Sequence, residues 1–132
     1  MYNTLSKNEK EVLRKADEII AERLEELNRK SRFCYQPSEI AKIHKMDTAD
    51  LNSFLRDQGI IYKKQGCYHL RKIYRGLGLT EYQYSLKTDR QGHSRLKPKL
   101  VWTEAGRQFL DDWINKIEKL RKQKNKGMER KL

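Results

Sequence analysis

The chain has 132 residues, the size of one ordinary domain with an added arm, which excludes a set of several independent cores. Thirty Lys and Arg against 18 Asp and Glu give a net charge of +12 and a pI near 9.8, a balance that suits a polyanionic partner, most simply nucleic acid. No apolar run reaches membrane-spanning length, residues 1–13 lack the apolar region of a signal peptide, and Cys34 and Cys67 have no CxxC or CxxH spacing, so the chain reads as a cytoplasmic protein with two free thiols.

The first predicted element is a helix over residues 6–31, with Ser6 as its cap and Glu9 completing a capping box. Its apolar residues, Val12, Leu13, Ala16, Ile19, Ile20, Leu24 and Leu27, recur at three and four positions. Leu13, Ile20 and Leu27 keep heptad spacing. Two readings stay open: an amphipathic helix packed on its own domain, or a homodimer seam through those three residues. Residues 1–34 are therefore set apart as an N-terminal arm.

Residues 35–59 read as two short helices broken by a tight turn, a helix-turn-helix. Counting Pro37 as the first position puts the small Ala41 fifth, where such helices cross most closely. Leu51 and Phe54 then fall where the second helix presses on the first. Pro37 and Ser38 can open the first helix, Asp47 can cap the second with Asp50 as the capping-box acid, and Gly59 ends it. Lys45 stands where a turn glycine is usual, at about 1 kcal/mol if the backbone there is left-handed.

After Gly59 the period changes to alternation. Ile60 to Lys64 and Cys67 to Leu70 flank Gln65-Gly66 as a short hairpin, and Gly76-Leu77-Gly78 is a turn. A longer hairpin is predicted from Leu79 to Thr103, turning at residues 89–92, with Pro98 confining the return strand to a sheet edge or bulge. Thr103 caps a last helix, Glu104 to about Lys122, with Phe109, Leu110, Trp113, Ile114, Ile117 and Leu120 on one face. The core domain thus spans 35–120, and 121–132 form a basic tail expected to be disordered.

Charge is unevenly placed. Residues 34–59 carry three basic and four acidic side chains, whereas 60–102 carry ten and two. The basic set Lys63, Lys64, Arg71, Lys72, Arg75, Lys87, Arg90, Arg95, Lys97 and Lys99 supplies the candidate phosphate contacts, which give affinity and salt dependence without sequence information. The outward residues of the second helix, Thr48, Ala49, Asn52, Ser53 and Arg56, are the candidate base readers, since Asn pairs with adenine and Arg with guanine. Asp47 and Asp50 suit the helix dipole yet repel DNA. The tyrosines of the hairpins, Tyr62, Tyr68, Tyr82 and Tyr84, read as cross-strand packing partners rather than base stackers.

Enzyme readings fail on spacing. His44, His69 and His93 have no carboxylate or cysteine at ligand or triad spacing, and the glycine pair lacks the rest of a nucleotide-binding fingerprint. No cofactor or metal is expected.

Taken in order, Pro37-Ser38-Glu39-Ile40-Ala41, Leu51-Asn52, a tyrosine-rich hairpin and Trp102-Thr103-Glu104-Ala105-Gly106-Arg107-Gln108-Phe109-Leu110 resemble the KilAC domain, the C-terminal module of phage antirepressors, over roughly residues 35–113. The resemblance implies a winged-helix-like domain, which with the elements read above gives an α+β winged helix-turn-helix with two β-hairpins, a long N-terminal helix and a C-terminal helix. It implies a DNA-binding regulator of phage, prophage or mobile-element origin, with double-stranded DNA as partner. The other reading is an interaction module that binds and inactivates a repressor protein. His44, at a position usually aliphatic in that family, and Lys45 depart from the pattern.

Overall fold

Local signals at the helix ends set the boundaries of the first three helices. The computed structural model describes residues 6–130, with side chains to Lys124; residues 1–5 of the predicted arm and 131–132 of the predicted tail lie outside the described residues. Helix α1 (Lys7–Leu27) opens on the predicted capping box: Ser6 Oγ accepts from the Glu9 N–H at 3.2 Å, and the Glu9 carboxylate accepts from the Ser6 N–H at 3.4 Å. It ends short of residue 31, and residues 28–33 follow as turns. No residue of α1 is buried. Leu24 is half-buried, while Leu13, Ile20 and Leu27 are 39%, 43% and 47% exposed.

Helices α2 (Pro37–Ile43) and α3 (Thr48–Asp57) pack through Ile40, Ala41, Leu51 and Leu55, all buried. Ala41 is small where the two helices meet, as the spacing predicts. Lys45 between them has φ 56°, so the turn is left-handed without a glycine. Pro37 and Ser38 open α2 as expected, and its start is held by the Glu39 carboxylate accepting from the Gln36 N–H at 3.3 Å. The cap of α3 differs from expectation. Asp47 takes the N-cap place of α3, but its side chain makes no cap bond; its acid acts there only through the helix dipole.

Strands β1 (Ile61–Lys64) and β2 (Cys67–Leu70) pair antiparallel around Gln65 and Gly66, both with positive φ, the type I′ pattern that matches strand twist. A 3₁₀ turn at Lys72–Tyr74 leads to the long ribbon of β3 (Thr80–Thr88) and β4 (Ser94–Trp102). Tyr35 bridges to Trp102, with N···O distances of 2.6 and 2.9 Å, which ties the start of the helix pair to the base of the ribbon. Pro98 costs no ladder bond. The outward-facing backbone of Tyr84 marks Tyr84–Pro98 as a non-hydrogen-bonded pair.

Helix α4 (Glu104–Arg130) is capped by Thr103, whose Oγ accepts from the Gly106 N–H at 3.1 Å and donates to the Gly78 carbonyl at 2.5 Å. It continues past Lys122 to Arg130, so residues 121–130 are helical where disorder was expected. The physical reason is propensity: Arg, Lys, Gln and Glu favour a helix already nucleated upstream, and Gly127 alone does not stop it. The result is an α+β fold with four helices and two two-stranded antiparallel sheets. One core joins all but α1: Ile40, Leu51, Leu55, Ile60, Ile61, Leu79, Trp102 and Leu110 lie fully or almost fully buried.

Candidate nucleic-acid interface

Strand alternation sorts the ribbon. In the observed register Gln83, Ser85 and Lys87 lie opposite Lys99, Lys97 and Arg95, so the outer part of one face carries polar and basic side chains, with Glu81 opposite Val101 nearer its base. The other carries Tyr82, Tyr84 and Leu86 opposite Leu100, Pro98 and Leu96. This division follows from the period of two.

The basic face meets α3. A groove of about 320 Å³ is lined by Thr48 and Asn52 of α3 together with Lys87, Lys97 and Lys99 of the ribbon. A second depression joins Ser53 and Arg56 of α3 to Lys63 of the first hairpin and Arg71 just after it. A third, between the two hairpins, holds Lys64, Lys87, Arg95 and Lys97. Four candidate base readers therefore lie between two basic ribbons. Lys72, Arg75 and Arg90 stand apart from these grooves: Lys72 is in the 3₁₀ turn, Arg90 in the ribbon turn, and Arg75 is committed internally, donating to the Leu70 carbonyl at 2.9 Å and to the Tyr62 hydroxyl at 2.7 Å.

Electrostatics within the groove favour an anion. Lys97 beside Lys87 pushes the Lys87 ammonium below its ordinary value, because two like charges are held close together. A phosphate placed between them relieves that repulsion. Asp47 and Asp50 do not line this groove. They border a neighbouring depression with Lys42 and Lys45, which shares Ser38 and Thr48 with the groove but not Asn52. Sequence reasoning missed Ser38 and Ser85 and read Tyr68 as a packing partner, yet all three also line the groove; the ribbon's alternation could have suggested Ser85.

The tyrosines are engaged within the protein. The Tyr82 hydroxyl bonds His69 Nδ1 at 2.7 Å, Lys63 lies over the Tyr68 ring, and Arg71 and Arg75 lie over Tyr62. Burial raises Tyr82 above the usual phenol value. Both cysteines are free, and burial pushes each thiol up, away from reactivity.

His44 Nε2 lies 2.7 Å from Asp111 Oδ1, a pairing outside the ligand and triad spacings considered for the histidines. The residues are 67 apart, beyond any spacing rule. Arg107 donates to the other Asp111 oxygen at 2.7 Å and also pairs with Glu104, which accepts from the Tyr35 hydroxyl at 2.7 Å. This chain fastens the α2–α3 turn and Tyr35 to α4. Among the described residues no group of three or more His, Cys, Asp or Glu could hold a metal ion, and no helix is long and apolar enough to cross a membrane.

The family model for the phage antirepressor protein KilAC domain matches residues 14–116. The chain belongs to the KilAC family. Neither the comparison with curated proteins nor that with solved structures returns a match. A KilAC domain belongs to a regulatory rather than an enzymatic family. The motif residues of this KilAC domain have structural reasons. Trp102 is buried at the base of the ribbon, Thr103 caps α4, and Gly106 leaves room for the Leu79 carbonyl oxygen, which a Cβ there would overlap.

Proposed function

We propose that this KilAC domain is a winged helix-turn-helix that binds double-stranded DNA, an antirepressor-like transcription regulator of phage, prophage or mobile-element origin working in the cytoplasm of a bacterial or phage-infected cell. The observation that carries the reading is the shared groove of Thr48 and Asn52 with Lys87, Lys97 and Lys99. In this reading the ribbons grip phosphates and α3 reads bases through Thr48, Asn52, Ser53 and Arg56. Lys63, Lys64, Arg71 and Arg95 extend the grip, with Lys72, Arg75 and Arg90 as outlying positive charge. Two copies associate through Leu13, Ile20 and Leu27, whose apolar side chains are left uncovered by their own domain.

The test is fluorescence anisotropy on duplex fragments from the encoding element. Affinity should fall steeply between about 50 and 200 mM salt, in proportion to the phosphates neutralised. Replacing Lys87, Lys97 and Lys99 with alanine should weaken binding to every sequence alike. Asn52→Ala or Arg56→Ala should instead relax the preference at one base, by about 1–3 kcal/mol. A flat salt response, or no duplex binding, would overturn the reading.

A second reading is favoured by the uncovered stripe of α1: an interaction module that docks on a repressor and inactivates it. Recovery of a repressor from a lysogen in nuclease-treated buffer, lost on replacing Leu13 and Ile20 with Asp, would support it over DNA binding.

A further inference from the structure

We propose that α1 pairs antiparallel with α1 of a second copy, with Ile20 on the two-fold axis; the proposal rests on the homodimer reading above and adds its orientation and register. A 21-residue helix with no buried residue lacks the tertiary packing that ordinarily stabilises an amphipathic helix. Its stripe needs a partner, and the sequence of the stripe says which.

The five apolar residues in line with Ile20 on the helix surface, Leu13, Ala16, Ile20, Leu24 and Leu27, have spacings of three, four, four and three residues, so their order is its own mirror image about Ile20, with Val12 and Ile19 to one side of it. Reversing a second helix sets Leu13 against Leu27, Ala16 against Leu24 and Ile20 against Ile20. The flanking charges invert about the same point. Reversal lays the basic first half of each helix along the acidic second half of the other. Residues 7–15 hold four basic and two acidic side chains, whereas 17–27 hold one basic and five acidic. Parallel pairing instead lays the acidic half of each helix along the acidic half of the other, a like-charge arrangement that selects against that direction.

Among the described residues the ion pair found on α1 is Arg14–Glu11, at 3.8 Å with both side chains exposed, a weak contact. Antiparallel pairing also places the two cores, which follow α1 at residue 28, at opposite ends of the helix pair. The two copies of α3 are then related by a two-fold axis, so a DNA site for the dimer is an inverted repeat.

The experiment uses the full chain with Cys34→Ser and Cys67→Ala, its fold checked by circular dichroism, and adds Leu13→Cys or Leu27→Cys. A disulfide requires Cα atoms about 4.4–6.8 Å apart. Oxidation of an equimolar mixture should give a hybrid cross-linked dimer that neither variant gives alone, at a dimer mass by sedimentation equilibrium. Self-cross-linking of Leu13→Cys overturns the antiparallel orientation and leaves the dimer standing. A dimer mass with no cross-link overturns the register and with it the proposal. A monomer mass overturns the dimer reading itself. As a cysteine-free control, Arg14→Glu with Lys15→Glu should weaken association at least tenfold, and mixing with Glu25→Lys, Glu26→Lys should restore it as a heterodimer; failure to restore it counts against the pairing.

Discussion

Asn28 pairs with the backbone of Tyr84 as another strand would. Its side-chain amide donates to the Tyr84 carbonyl at 2.9 Å and accepts from the Tyr84 N–H at 2.7 Å. The side chain thereby ties α1 to the edge of β3, opposite Pro98. Asn28→Ala leaves both backbone groups without that partner and should destabilise the domain by about 1–3 kcal/mol, measured by urea unfolding. Asn28→Asp should cost a comparable amount, since a carboxylate cannot donate to the carbonyl.

Gly106 sits one turn into α4, where Leu79 passes so close that any Cβ overlaps its carbonyl oxygen. The obstacle is backbone rather than a movable side chain. Gly106→Ala should therefore destabilise by about 3 kcal/mol, at the upper end of overpacking effects, despite alanine's higher helix propensity. Thermal melting of the purified variant checks this.

Lys45 holds φ 56° in the turn between α2 and α3. A left-handed side chain costs about 1–2 kcal/mol, and part of that returns as backbone entropy when glycine replaces it. Lys45→Gly should stabilise the fold by up to about 1 kcal/mol in chemical denaturation. Loss of stability would mean that Lys45 makes a contact that offsets its strain.

Glu104 is held at about 2 by hydrogen bonds, first from Arg107 and then from Tyr35, against an ordinary 4.5. A carboxylate lowered on folding contributes stability that is complete above about pH 4.5 and is lost as pH falls through about 2. Wild type should melt higher than Glu104→Gln at neutral pH, and the gap should close across that window. An unchanged gap from pH 5 to 2 would remove Glu104 from the acid response. The neighbouring His44–Asp111 pair joins the α2–α3 turn to α4, so His44→Leu, which restores an aliphatic side chain, separates packing from pairing there.

Much of the fold was legible because its signals are local. The Ser6–Glu9 capping box, the Gln65-Gly66 turn, Thr103 before α4 and Gly59 after α3 each act within a few residues, and each boundary falls there. The hairpins followed from alternation. The tail did not, because its charged composition fits both a solvated coil and the end of a continued helix. Asp47 looked like a side-chain cap by type, and only the folded geometry showed that it makes no such bond.

The candidate site divides the same way. The sequence by itself determined that α3 is nearly neutral and that positive charge gathers in the hairpins, and the period of two puts Lys87, Arg95, Lys97 and Lys99 on one ribbon face. Only the tertiary structure decided that this face lies beside Thr48 and Asn52, that Asp47 and Asp50 border a different depression, and that Arg75 is bound internally. Pairs such as Tyr35 with Trp102, Asn28 with Tyr84 and His44 with Asp111 join residues more than 50 positions apart. Periodicity and capping reach a few residues along the chain, so which elements meet is settled by packing around the shared core.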